Sequence, residues 1–235
     1  MLDNIQCENI LFLDIETVSQ YSDYEELPEN IRIFWDYKAS LIAHDDTYTP
    51  ATLYDRAGIY AEFGKIVCIS VGYIRDKHLR IKSFFGHDEK AILEEFADLL
   101  NKSYNKKESL LCAHNGKEFD FPYIARRMLL NGIKLPMTLN IAGCKPWDIK
   151  HLDTMELWKF GDYKSFTSLA LLTTIFEIPS PKDDIQGNQV GAVYWQEGNL
   201  ERIVNYCQKD VVAIVQLLKR YKGEELIADD NITVV

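Results

Sequence analysis

At 235 residues the chain can bury a substantial core, and 47% hydrophobic with 26% charged residues is a globular rather than a disordered composition. Its longest apolar runs, ILFL and IVCISVGYI, fall well short of the roughly 20 residues that span a bilayer, and MLDNIQCEN has no basic leader start, so a cytoplasmic, non-membrane protein is expected. A formal charge of −10 argues against loose adsorption to a polyanion, and five scattered cysteines without a CxxC pair predict reduced, buried thiols rather than disulfides or zinc.

The first predicted element is a buried strand over 10–14 that closes on Asp-x-Glu. Side chains alternate along a strand, so Asp14 and Glu16 share one face about 7 Å apart, which is half of a divalent-cation site. Residues 18–62 break the strand pattern with helix-like pieces near 28–38 and 50–57 and with Phe34, Trp35, Tyr37, Tyr48 and Tyr54. They are read as an insertion too short to bury its own core, either walling the acidic strand end or packing its aromatics on the sheet. Strands over 66–74 and 78–85, joined through Arg75-Asp76-Lys77, predict an antiparallel hairpin. Asp88 caps a helix with Ile92, Leu93, Phe96, Leu99 and Leu100 on its apolar face.

A strand over 109–113 then leads through NGKEFD into a helix over 121–130 that stops at Asn131-Gly132. After a short strand near 149–153, helices are expected over 166–176 and 199–221, and the acidic tail from Gly223 to residue 235 is expected to fray. Three strands followed by alternating helix and strand predict an α/β fold. Its mixed five-stranded central sheet would have one strand antiparallel and helices on its faces, in a single domain over 1–222.

The last helix places Tyr206 and Asp210 one turn apart on one face, beside an apolar stripe of Ile203, Cys207, Ile214 and Leu218. An aspartate on a core-facing stretch needs a partner or a metal, although a surface Tyr-Asp pair fits the helix taken alone. Asp120 at a helix start also fits an ordinary N-cap, and Asn115 an ordinary turn residue. Taken together, Asp14, Glu16, Asp120 and Asp210 form an oxygen-only set suited to Mg²⁺ or Mn²⁺, and no His/Cys set points to zinc. Two such ions are the arrangement that serves phosphodiester cleavage.

In that order the motifs carry a family resemblance. LDIET, NGKEFD (Asn-x-x-x-Phe-Asp) and YCQKD (Tyr-x-x-x-Asp) resemble the three motifs of DEDD-type 3′–5′ exonucleases of the tyrosine subgroup, with a ribonuclease H-like fold. GKIVCISVGYI, and SPKDDIQGNQV running on towards NYCQKDV, are similar to the stand-alone family that resembles the proofreading domain of B-family DNA polymerases, over about residues 10–221. No polymerase domain fits in what remains.

The resemblance implies that Asp14, Glu16 and Asp210 hold one divalent cation, that Asp14 also reaches a second, and that Asp120 acts on the second. It implies that Tyr206 orients the attacking water. A phenol with an ordinary pKa near 10 is a poor base at neutral pH. Thr17, Asn115, Phe119, Lys182 and Gln186 are the candidate substrate contacts, Phe119 either stacking on a base or filling core. Asp153 is either a supporting carboxylate or a helix cap, and His114 and His151 are read as packed or surface residues. Arg126, Arg127, Lys145, Lys150, Lys159, Lys164 and Lys182 are read mostly as solvated charges.

The leading expectation is a metal-dependent 3′–5′ exonuclease that releases nucleoside monophosphates from single-stranded 3′ ends, with DNA ahead of RNA. The competing reading is a nuclease-like scaffold that binds nucleic acid or protein without cleaving. Hydrolysis of a small nucleotide ester is a weaker third.

Overall fold

The computed structural model describes residues 2, 5–45, 47–162, 166–179 and 184–235. β1 (Ile10–Ser19) is the centre of the fold because its residues are hidden from both sides. β2 (Gly64–Arg75) pairs antiparallel with β1, and β3 (His78–Phe85) returns antiparallel along β2. The hairpin between them turns through Asp76 and Lys77, both at positive φ, as a two-residue turn requires. β4 (Leu110–Ala113) lies parallel on the other side of β1, and the two-residue β5 (Leu152–Asp153) extends β4 in parallel.

Among the described residues the sheet has six strands in the order β5-β4-β1-β2-β3-β6, with β2 alone running against the others. The expected five strands therefore gain one. β6 (Ile232–Val234) comes from the tail expected to fray and pairs parallel with Leu79–Ile81 of β3. The tail is ordered because Ile227 is buried and its backbone is gripped twice by Gln216, at 2.9 and 2.7 Å.

One face of the sheet is covered by α3 (Glu89–Ser103) and α4 (Asp120–Leu130). There Leu11, Leu13, Ile15, Ile69 and Val71 pack on Ile92, Phe96, Leu100, Phe121 and Ile124. The helix capped by Asp88 is as expected, with the carboxylate accepting from the amides of Lys90 and Ala91. The other face carries α8 (Leu200–Tyr221), flanked by α6 (Leu169–Ile175) and α7 (Val190–Trp195). Gly72 lets α8 sit close to the sheet, since a Cβ there would come within 2.8 Å of Val211. The helix expected over 166–176 starts only at Leu169, with Ser168 as its cap. Both α5 (Thr154–Lys159) and α7 are six-residue helices, too short to display a readable period.

The segment between β1 and β2 contains α1 (Glu29–Ile42) and α2 (Pro50–Leu53). Contrary to the expectation from its length, it gathers an apolar cluster of its own, in which Leu27, Ala39, Leu53, Tyr54 and Ala57 surround a fully buried Trp35. Trp35 donates its indole N–H to the carbonyl of Pro50 at 2.8 Å, which spares the ring a buried unsatisfied donor. The cluster reaches β1 through Gly58, where a Cβ would stand 2.9 Å from the Val18 backbone.

Arg127, read in sequence with the solvated charges, is buried. Its Nε lies 2.8 Å from Glu89 Oε1, its Nη2 lies 2.5 Å from Oε2, and its Nη1 donates to Ala61 at 2.9 Å. Glu89 also accepts from the Ile66 amide and from Asn131, so one ion pair fastens α3, α4, β2 and the inserted segment together. Removing one member strands the other charge in the core. Arg127→Met should therefore lower unfolding stability by about 3–5 kcal/mol in urea titrations, and a loss under about 1 kcal/mol would reduce the pair to surface rank.

Candidate active site

β1 does not end on its acidic pair but runs on to Ser19, so Asp14 and Glu16 sit within the strand. On the face under α8 the strand reads Ile10, Phe12, Asp14, Glu16, Val18. Ile10 and Phe12 belong to the apolar cluster beneath Val211, Ile214 and Leu218, and Val18 to the one beneath Ile203 and Cys207. The two carboxylates fill the seam between these clusters. The register slips beside them, with Glu16 facing Cys68 and Thr17 facing Ile66, so Val67 is an extra residue in β2. Such a bulge raises the local twist and re-aims side chains, here at the acidic pair.

From above, α8 lowers Tyr206, Cys207 and Asp210, all buried. Cys207 Sγ donates to the Asp14 carbonyl at 3.4 Å, and ligand atoms of Asp14, Glu16 and Cys207 lie within 4.8 Å of one another. The sequence signal for this contact was the stripe that already held Cys207.

Asp120 arrives from the side. The ladder between β1 and β4 ends at Phe12 and Cys112, which leaves the next stretch of β1 open to the start of α4. The N-cap reading of Asp120 is corrected: Phe119 is the cap residue, and Asp120 is the first residue of the helix. Its carboxylate takes hydrogen bonds from its own amide and from that of Ile15. One oxygen, Oδ1, is nevertheless buried with no hydrogen-bond partner.

Burial, and then the charges of Asp210 and Asp120, raise Asp14 well above the usual carboxylate range. Glu16 is raised well above it by burial and by Asp14 and Asp210. Asp120 is pushed up to about 8 by burial and the nearby charge of Asp153. Among the described residues, the strongest charged influences on Asp14, Glu16 and Asp120 are other acids. Tyr206 is also raised, by burial first and then by Asp210, Glu16 and Asp14. The Cys207 thiol is pushed up by burial and by Cys68, and stays protonated. A hard-oxygen donor set with an orphaned buried oxygen fits Mg²⁺ or Mn²⁺, and a protonated thiol does not compete for such a cation.

Asp153 takes both roles that its sequence left open. It caps α5 by accepting from the Met155 and Glu156 amides, and it holds the loop before Asp120 by accepting from Asn115 at 2.9 Å and Lys117 at 3.1 Å. Asn115 stands at φ +64, and its buried Oδ1 has no hydrogen-bond partner. Phe119 packs against Tyr123, with ring centroids 5.3 Å apart, and remains partly exposed. The Thr17 hydroxyl meets the Tyr123 phenol, on the opposite face from the carboxylates. Gln186 caps the turn over 187–189 and lines a cleft with Ala170 and Asp184 that none of the five catalytic candidates borders. Lys182 and Lys164 lie outside the described residues. His151 is packed: Nδ1 accepts from the Leu111 amide and Nε2 donates to the Thr138 carbonyl. His114 bridges Thr154 and Thr167.

Residues 59–224 match the model of a family described as a predicted 3′–5′ exonuclease related to the exonuclease domain of PolB. The chain belongs to this exonuclease family. The matched stretch contains Asp120, Tyr206 and Asp210, and the fold supplies Asp14 and Glu16 from outside it. The solved family B DNA polymerase of the hyperthermophilic archaeon Pyrobaculum calidifontis is similar over 90% of this chain, with a TM-score of 0.53 and 14% identity. The exonuclease-family chain spans 24% of that polymerase's length, and at this identity the likeness concerns the fold. No helix among the described residues is long and apolar enough to cross a membrane.

Folding raises these carboxyl pKa values, so the folded state keeps protons that the unfolded chain releases. The stability they contribute is full below about pH 4 and is lost as pH rises through about 8. In EDTA the Tm should therefore fall between pH 5 and pH 8, and Asp120→Asn should raise it at pH 8. A wild-type Tm that climbs over this interval would contradict the clustering.

Proposed function

We propose that the protein is a divalent-metal-dependent 3′–5′ exonuclease that removes nucleoside monophosphates from single-stranded ends, with DNA preferred to RNA. The observation that carries this reading is that four carboxylates from β1, α4 and α8 lie close enough for their charges to act on one another. Family membership supplies the reaction class.

Asp14, Glu16 and Asp210 would hold one cation, with Asp14 and Asp120 turned to a second. When bound, the two cations would lower the pKa of water and offset the charge of the scissile phosphate. The remaining work falls to the chain. Tyr206, hydrogen-bonded to Asp210 and with its pKa raised by burial and by the neighbouring acids, would orient water or the phosphate. The Asp153 clamp fixes Asn115 and hence the approach of the terminal nucleotide beside Asp120. Thr17 would contribute through its backbone, because its hydroxyl is already engaged. Phe119, with part of its ring exposed, would meet the terminal base.

The test is digestion of 5′-labelled single-stranded DNA and RNA in Mn²⁺, in Mg²⁺ and in EDTA. A ladder shortening from the 3′ end, faster on DNA and absent in EDTA, is expected. Asp14→Asn should slow it about a thousandfold or more while leaving the Tm at or above that of the parent. Tyr206→Phe should slow single turnover about a hundredfold with metal binding intact. Failure to shorten either polymer in any metal would refute the assignment, and an unchanged Tyr206→Phe rate would remove the phenol from the reaction.

A further inference from the structure

Around α5 the surface carries three largely exposed aromatic rings. A cavity of about 410 Å³ has Asn115, Pro146, Ile149, Asp153, Lys159 and Gly161 in its lining. Trp147 and Phe160 adjoin these wall residues in sequence, and Phe166 lies 5.6 Å from the Lys159 ammonium. The three rings are 75%, 87% and 71% exposed, so burial does not account for them.

Phe160 is the most telling. It ends α5 at φ +45 and ψ +34, the left-handed position that glycine fills most easily, yet it is a bulky aromatic directed into solvent. The backbone is strained there, and the ring contact it makes is an edge approach to Trp158 with centroids 6.5 Å apart.

Each end of the surface also pairs a ring with an ammonium. Lys145 lies 5.4 Å over the Trp147 ring, as Lys159 lies beside Phe166. Of the segment's acids, Asp153 is buried against four amides, while Asp148, Glu156 and Asp162 are exposed, Glu156 in an ion pair with Lys117 at 2.5 Å. On a chain of net charge −10, alternation of exposed rings with lysines is a local arrangement suited to stacked bases and their phosphates. The cavity that Lys159 lines is also lined by Asn115, in the loop that enters Asp120.

Building on the exonuclease reading, we infer that this surface is the track for the single strand upstream of its terminal nucleotide. Successive bases stack on Trp147, Phe160 and Phe166, and phosphates meet Lys145 and Lys159.

Phe160→Gly is the informative variant, because glycine accepts the left-handed φ and the Tm should hold or rise. In an Asp14→Asn background with Mg²⁺, anisotropy of fluorescein-labelled dT12 should report a loss of about tenfold in affinity for Phe160→Gly, and a greater loss with Trp147→Ala added. With Asp14 intact, the same substitutions should raise KM on dT12 and leave hydrolysis of the p-nitrophenyl ester of thymidine 5′-monophosphate at the parent rate. Unchanged dT12 affinity in the double variant overturns the track and assigns the rings to a protein partner. A parent that hydrolyses neither compound, with affinity still falling in the variants, would sink the exonuclease reading and leave the track standing.

Discussion

The constraint on which this structure depends is a cluster of carboxylates in the middle of an apolar seam. β1 and α8 could have closed over one another with hydrocarbon from end to end, as they do around Phe12 and Val211 on one side and around Val18 and Cys207 on the other. Between them sit groups whose charges repel and whose hydration is stripped away. The surrounding fold offsets that cost. The glycine at position 72 lets α8 approach closely, the bulge turns the strand, and the buried pair of Arg127 and Glu89 fixes α4, which delivers Asp120. A scaffold that gathers these acids would gain stability on binding divalent cations.

The same seam explains how the elements share the work. β1 contributes two carboxylates at a spacing set by the pleat, whereas α4 and α8 contribute one carboxylate each at positions set by tertiary packing. Asp153 stabilises the least regular part, a loop with Asn115 at positive φ. One buried carboxylate thereby couples the start of α5 to the loop before Asp120, and the aromatic surface beyond α5 continues from that junction.

Legibility in the sequence followed physical range. The alternation of ILFLDIETV, the Asp88 cap, the hairpin at Asp76-Lys77 and the apolar stripe of α8 are local signals, and the corresponding elements are present, with β1 running past its expected end to Ser19. β6 was hidden because Ile232-Thr233-Val234 is three residues in an acidic tail, ordered by a distant glutamine. Arg127 looked like a surface charge because its partner lies 38 positions away. Asp120 looked like a cap because its partner amide, that of Ile15, belongs to another element. Asp14 and Glu16 were visible as a pair, but their burial beneath α8 is a property of the closed fold.

The late strand has one more consequence. β3 would otherwise show an unpaired border along Leu79–Ile81, the kind of edge onto which another chain can add. Ile232–Val234 occupies that border, and the strand left outermost is three residues long with Asp229 and Asp230 just ahead of it. At the far side the sheet ends on β5, two residues long. Over the stretches they cover, the short outer strands limit edge-to-edge pairing with another chain.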